Sequence, residues 1–201
     1  FAVLHSVRSL ARQGFEVTRV ALDEHGRVDL DALRAALRPD TILVSIQAAN
    51  QEIGTLQDLQ AIGGITREHG VLLHTDASHS FPRVELDVTQ VPVDLVSLTG
   101  HLSHGPRGIG ALYVRRKPRV RLVAQMHGGG HEKGFRSGTL PTHQIVGLGE
   151  AARLARLEMR DELPRIQALR DRLWQGLSTL EQVWVNGDMQ QRVPHNLNVS
   201  F

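Results

Sequence analysis

Short apolar runs alternate with amphipathic helical segments along most of this chain, and that alternation restricts the fold more than any other feature. The runs Thr41–Ile46, Val71–Thr75, Val93–Leu98 and Ile109–Val114 are four to eight residues long, as strands are. Runs this continuous are expected of strands covered on both faces, which is the arrangement of a parallel sheet flanked by helices. A helical stripe of Ala2, Val3, Val7, Leu10 and Ala11, within a pattern that opens at Phe1, stops at Gly14. Phe15–Val20 alternates like a half-buried strand. Asp29 is placed to cap a short helix of Leu30, Leu33, Ala36 and Leu37, which Pro39 ends. A helix over 58–69 is closed by Gly70, and a long helical region runs over 143–180 with a break expected at Pro164 before strands near 183–185 and 196–201. The expected class is α/β: a mostly parallel sheet with flanking helices, then the start of a small α+β C-terminal domain. The boundary is placed so that residues 1–158 belong to the large domain and 159–201 to the small one. Because the pattern opens inside a helix and closes inside a strand, a piece or a decayed copy of a longer protein is expected.

Composition removes several chemistries. The 201 residues include no Cys, so disulfides, thiolate metal sites and a thiol nucleophile are excluded within this sequence, and a reducing, cytoplasmic setting is expected. Of 23 basic residues only Lys117 and Lys133 carry an amine. No apolar stretch approaches the ~18 residues of a membrane span. The net charge of +2 argues for no nucleic-acid partner. The run Arg115, Arg116, Lys117, Arg119 and Arg121 has only Tyr113 nearby for stacking, so it reads as a solvated surface or a docking face for acidic proteins. The pairs His101/His104 and His127/His131 have ligand-like spacing but lack a matching carboxylate, and no metal site is expected. Trp174 and Trp184 are expected in the core or at a domain contact.

In open α/β sheets ligands gather beyond the carboxyl ends of the strands. There this sequence places Asn50, Gln51 and Glu52 after the first run, then Asp76, Ser78 and His79 after the second. After the third come Thr99, Gly100, His101, Ser103, His104 and Gly105. A hydroxyl and an imidazole beside turn N–H groups suit a phosphate, and a carboxylate at a strand end suits a protonated ring nitrogen.

Asp76-Ala-Ser-His-Ser80, Thr99-Gly-His101 and Gly105-Pro-Arg-Gly-Ile-Gly-Ala-Leu-Tyr-Val-Arg-Arg116 strongly resemble the cysteine desulfurases. These are pyridoxal-phosphate (PLP) enzymes of fold type I in the class V aminotransferase branch. Gln125-Met-His-Gly-Gly-Gly-His-Glu132, Arg136-Ser-Gly-Thr-Leu-Pro141 and Asn196-Leu-Asn-Val-Ser-Phe201 are similar to the desulfurase of iron–sulfur cluster assembly, and the resemblance runs from Phe1 to Phe201. It implies a homodimer acting on L-cysteine and passing sulfur, as a persulfide, to acceptor or scaffold proteins. Asp76 would pair with the pyridine nitrogen, Thr99 and His101 with the cofactor phosphate, and Thr139 with the phosphate held by the partner subunit. Gln51 and His79 depart from the family's Asn and Gln near the ring. At Leu102 the family has the lysine that forms the Schiff base with PLP, and its persulfide-carrying Cys has no match in this sequence. The chain is therefore expected to be catalytically disabled. The alternative is a non-catalytic module that holds PLP without a covalent bond or dimerises.

Overall fold

The computed structural model describes residues 2–201; Phe1, at which the first helical pattern opens, lies outside the described residues. In chain order the helices are α1 (Ala2–Arg12), α2 (Leu30–Ala36), α3 (Leu59–Glu68) and α4 (Thr142–Leu177). The strands are β1 (Leu43–Gln47), β2 (Leu72–Asp76), β3 (Leu95–Thr99), β4 (Gly110–Val114), β5 (Trp184–Val185) and β6 (Val199–Ser200). One sheet has the order β1-β2-β3-β4, with the first two pairings parallel and the third antiparallel. A separate antiparallel pair joins β5 to β6. The mixed, mostly parallel α/β class expected from the alternation is therefore observed.

Local chemistry sets the helix ends. Asp29 accepts hydrogen bonds from the Asp31 and Ala32 N–H groups, and Asp58 accepts from Ala61, so each helix starts at a side-chain cap. α2 ends at Leu37, whose extended backbone anticipates the restriction that Pro39 places on Arg38. Gly70 follows α3 at φ +67°, the left-handed position for which glycine carries no steric cost.

One face of the sheet is the core. Leu33 of α2 and Ile62 and Ile65 of α3 meet Val44, Leu73 and Val96 from the strands, with Val93 beneath them. The opposite face carries Ser45, His74, Asp76, Ser97 and Thr99 by strand alternation, and its Leu43 and Leu112 are exposed. The expectation that the first strand is covered on both faces is thus met on one face only among the described residues.

Three further expectations are corrected. Phe15–Val20 forms no strand: the segment has no regular structure and is mostly exposed, and the nearest pairing is a single bridge of Leu22 with Val28. Alternation alone makes no strand when no neighbour supplies a ladder. Pro164 does not break α4, which continues through it to Leu177, so residues 158 and 159 lie within one helix. Trp184 is 58% exposed.

The C-terminal segment is tied back to the sheet. The Leu56 N–H donates to Gln191 and the Val193 N–H to Gly54, while the Asn196 and Asn198 amides both donate to the Glu52 carbonyl. A Cβ on Gly54 would stand 2.5 Å from Asn196 Oδ1, so this close approach requires glycine. Arg192, 5% exposed, spends its guanidinium on the Asp188 and Asn186 carbonyls and on Asn196.

Arg115 is the exception in the basic run. Its Nε lies 3.4 Å from Asp94 Oδ1 and also donates to the Val93 carbonyl, while Asp94 Oδ2 accepts the Leu73 N–H at 2.8 Å. Both side chains are nearly buried, so deleting one leaves the other charge uncompensated. Asp94→Ala is expected to cost about 3 kcal/mol in denaturant unfolding. Arg116→Ala, on an exposed neighbour, is expected to stay within about 0.5 kcal/mol.

Candidate active site

Parallel register brings three strand ends to one edge. Gln47 pairs with Asp76 and Asp76 with Ser97, so β1 and β2 end level and β3 runs two residues further. The ends are stitched together by the Ala48 N–H donating to the Asp76 carbonyl and the Ala77 N–H to the Ser97 carbonyl. Asp76 therefore sits between Gln47 and Ser97, with Thr99 two residues further along β3 on the same face. Asp76 Oδ1 accepts the Ser78 N–H at 2.9 Å, and among the described residues Oδ2 has no hydrogen-bond partner.

Thr99 leads into a turn of 3-10 helix, His101–Ser103. Thr99 Oγ1 and His101 Nδ1 are 2.9 Å apart, on the exposed side. Close packing fixes the turn. The Gly100 N–H donates to Ile109, the Gly105 N–H to Gly100, and buried Ser103 Oγ donates to the Gly100 carbonyl. A Cβ on Gly100 would stand 2.8 Å from the Pro106 carbonyl, and one on Gly147 of α4 2.5 Å from Pro106. The start of α4 thus lies directly on the turn, and Gln144 Nε2 donates to the Arg107 carbonyl at 2.7 Å. His104 closes the turn in the left-handed region at φ 60°.

Leu102 occupies the middle of this turn, half-buried, and its carbonyl accepts a hydrogen bond from Arg83 Nη1 at 3.0 Å. Sequence reasoning did not single out Arg83. It follows the Ser78–Phe81 turn at the end of β2, and burial works against its charge. His79, half-buried, lies on that same turn. His195, from the C-terminal segment, also joins this region although part of its ring meets solvent: burial first, then Arg83 and His79, push its pKa down to about 4. Its only sequence signal was its place just ahead of the Asn196–Phe201 motif.

The remaining candidates are exposed. Gln51 is exposed on the turn after β1, where the Asn50 side chain accepts the Glu52 and Ile53 N–H groups. Thr139 is exposed on the segment leading into α4 and shares no hydrogen bond with the strand-end group among the described residues. In the same loop His131 Nδ1 accepts the Gly138 N–H, and Ser137 Oγ accepts the Gly130 N–H. Lys117 and Lys133 are both exposed, Lys133 within a short 3-10 turn over Glu132–Gly134.

The chemistry of these groups suits an anion beside a protonated ring nitrogen. Among the described residues one oxygen of Asp76 has no partner at its strand end, and the Thr99 hydroxyl and His101 imidazole pair at the neighbouring end. The sequence of the whole chain agrees, matching the family model described as "Aminotransferase class-V" over residues 2–201. The chain belongs to the class V aminotransferase family. It is 62% identical over 200 residues to "Cysteine desulfurase IscS" of Methylococcus capsulatus, covering all of this chain and 50% of that protein. It is 57% identical to the protein of the same name from Cronobacter sakazakii, again over half its length. Among solved structures, a "NIFS-LIKE PROTEIN" superposes with TM-score 0.94 at 35% identity, covering all of this chain and 55% of that one. DndA from Streptomyces lividans does so at 0.91 and 38%, over 57% of its chain. The chain spans about half the length of the curated relatives it matches, and pyridoxal phosphate is the cofactor of these desulfurases.

The site's histidines predict an acid response. Burial lowers the pKa of His74, with the charge of Asp76 opposing, and that of His195 falls to about 4. The unfolded chain binds protons at these sites below about pH 6.5 and the folded chain does so only at lower pH, so stability falls as pH drops through that interval. The carboxylates with lowered pKa, Asp23, Asp87 and Asp188 with Glu150 and Glu162, add to the loss as pH approaches and passes below their ordinary values of 3.8 and 4.5. The midpoint of thermal unfolding is therefore expected to drop between pH 6.5 and 4. His195→Gln is expected to reduce the drop in a pH series of melting curves.

Proposed function

We propose that this chain carries the cofactor-binding half of a cysteine-desulfurase fold without the group that makes the fold an enzyme. Residues 1–158 are read as part of the large domain and 159–201 as the start of the small one. In the family the whole protein converts L-cysteine to L-alanine and passes the sulfur on as a persulfide for iron–sulfur cluster assembly. The reading places this chain in that lineage, as a cytoplasmic homodimer whose partners are sulfur acceptors or scaffolds. The single observation that carries the loss is Leu102, which follows Thr99-Gly-His101 where the family has its lysine.

Asp76, Thr99 and His101 suit non-covalent retention of pyridoxal phosphate, the first by charge at the ring nitrogen and the others at the phosphate. When bound, the cofactor supplies an electron sink for charge that develops at a substrate carbon. What the chain lacks is the amine. Leu102 has no atom that exchanges a proton, and proton transfer of that kind contributes about 10²–10⁴ in rate. Its half-buried isobutyl group instead adds apolar surface to the Arg83-anchored turn.

The second reading, a binding or dimerisation module, is favoured by the exposed sheet face around Leu43 and Leu112 and by the exposed loop holding Thr139. In that role Thr139 would serve a phosphate bound by the partner subunit.

With L-cysteine and added pyridoxal phosphate, the chain is expected to release sulfide no faster than the cofactor alone. Sulfide production that Asp76→Ala abolishes would refute the reading. Leu102→Lys is expected to give an absorption band that survives exhaustive dialysis, whereas the parent chain loses its bound cofactor under the same treatment.

A further inference from the structure

His74 bridges three strands immediately behind the strand-end group. Its Nδ1 is 2.8 Å from Ser45 Oγ on β1, and its Nε2 is 2.8 Å from Ser97 Oγ on β3. Ser45 is its register partner, and Ser97 is the register partner of Asp76. Alternation puts His74 and Asp76 on the same face of β2, one residue pair apart. Adjacent strands lie about 4.8 Å apart, so one ring with its two hydroxyls spans the full width of the parallel part of the sheet. We propose that His74 is a positioning residue that, through Ser45 and Ser97, holds Asp76 and Thr99 at the spacing a cofactor ring and its phosphate require. The proposal rests on the reading of Asp76, Thr99 and His101 as cofactor-binding groups.

The chemistry suits imidazole. A neutral ring has one donor and one acceptor on opposite edges, and each serine hydroxyl supplies whichever role its nitrogen needs. Asn and Gln carry both functions at one end and cannot reach two strands at once. Ser45, His74 and Ser97 are all half-buried, which makes an unmade bond costly. Burial holds the ring neutral at neutral pH against the pull of Asp76. The carboxylate charge of Asp76 therefore stays available for a ring N–H instead of being spent on an imidazolium behind it. Ser97 is the direct link forward: its carbonyl accepts the Ala77 N–H, and two residues later the same strand presents Thr99.

The test uses the full chain in two arms. In the first, amide hydrogen exchange is measured without cofactor on the parent, His74→Leu, His74→Gln and Ser45→Ala. Exchange at Ala48 and Ala77, whose N–H groups join the strand ends, is expected to quicken about tenfold or more in His74→Leu. Ser45→Ala is expected to act less in the same direction. His74→Gln, which reaches toward Ser97 only, is expected to recover part of the protection, while amides of α3 change less than about twofold. In the second arm, pyridoxal phosphate is titrated into each variant by absorbance, with Asp76→Ala as reference. His74→Leu is expected to raise the dissociation constant about 10–100-fold, as outer-shell deletions do elsewhere. Asp76→Ala is expected to weaken binding while leaving the Ala48 and Ala77 exchange rates unchanged.

Unchanged exchange at Ala48 and Ala77 in His74→Leu would overturn the proposal, and so would an equal loss of protection in α3, which marks general destabilisation. Quickened exchange at the strand ends with unaltered cofactor affinity would overturn the positioning role. A parent chain that takes up no pyridoxal phosphate would overturn the functional reading instead, and the exchange arm would still decide whether the three-strand clamp exists.

Discussion

The parallel register of three strands is the constraint on which the rest of the structure depends. Because β1 and β2 end level and β3 runs two residues further, the loops that follow them share one edge, and the backbone bonds from Ala48 to Asp76 and from Ala77 to Ser97 fix their spacing. That register rests on one buried face, where α2 and α3 cover Val44, Leu73 and Val96. A slip of one residue would turn these side chains outward and bring His74 and Asp76 into the core, at a cost of several kcal/mol in unpaired polar groups. The core therefore places the site.

On the edge so formed stand the groups proposed to bind the cofactor, with Leu102 in the turn that follows them. Asp76, Thr99 and His101 stand on neighbouring strand ends, braced by the Gly100–Pro106 turn and by the start of α4. The Leu102 carbonyl accepts a hydrogen bond from Arg83, and the neighbouring Ser103 Oγ donates to the Gly100 carbonyl. Replacing an amine by an apolar group at a fixed backbone position removes reactivity without demanding any rearrangement of the fold.

Much of this was legible in the sequence, because the signals were local. Continuous apolar runs located β1 to β4, Asp29 and Asp58 marked helix starts, and short motifs located Asp76, Thr99 and His101. What stayed hidden was relational. Ser45, His74 and Ser97 lie on three different strands, and only the register shows that they meet. Arg115 reads as one more charge in a basic run until Asp94 is placed beside it. His195 belongs to a segment more than a hundred residues from Arg83, and only the ties between that segment and the Glu52–Leu56 loop bring the two together. Phe15–Val20 fails in the opposite sense: its alternation is real, but a strand exists only where a neighbour accepts its hydrogen bonds.

The central claim is that no amine of this chain can anchor the cofactor, and one measurement tests it directly. The chain is mixed with one equivalent of pyridoxal phosphate, reduced with borohydride, digested and mapped by mass spectrometry, alongside Asp76→Ala. The account predicts no stoichiometric pyridoxyl adduct, and only trace labelling of exposed Lys117 and Lys133 that is equal in both proteins. A stoichiometric adduct on either lysine that disappears with Asp76→Ala would contradict it.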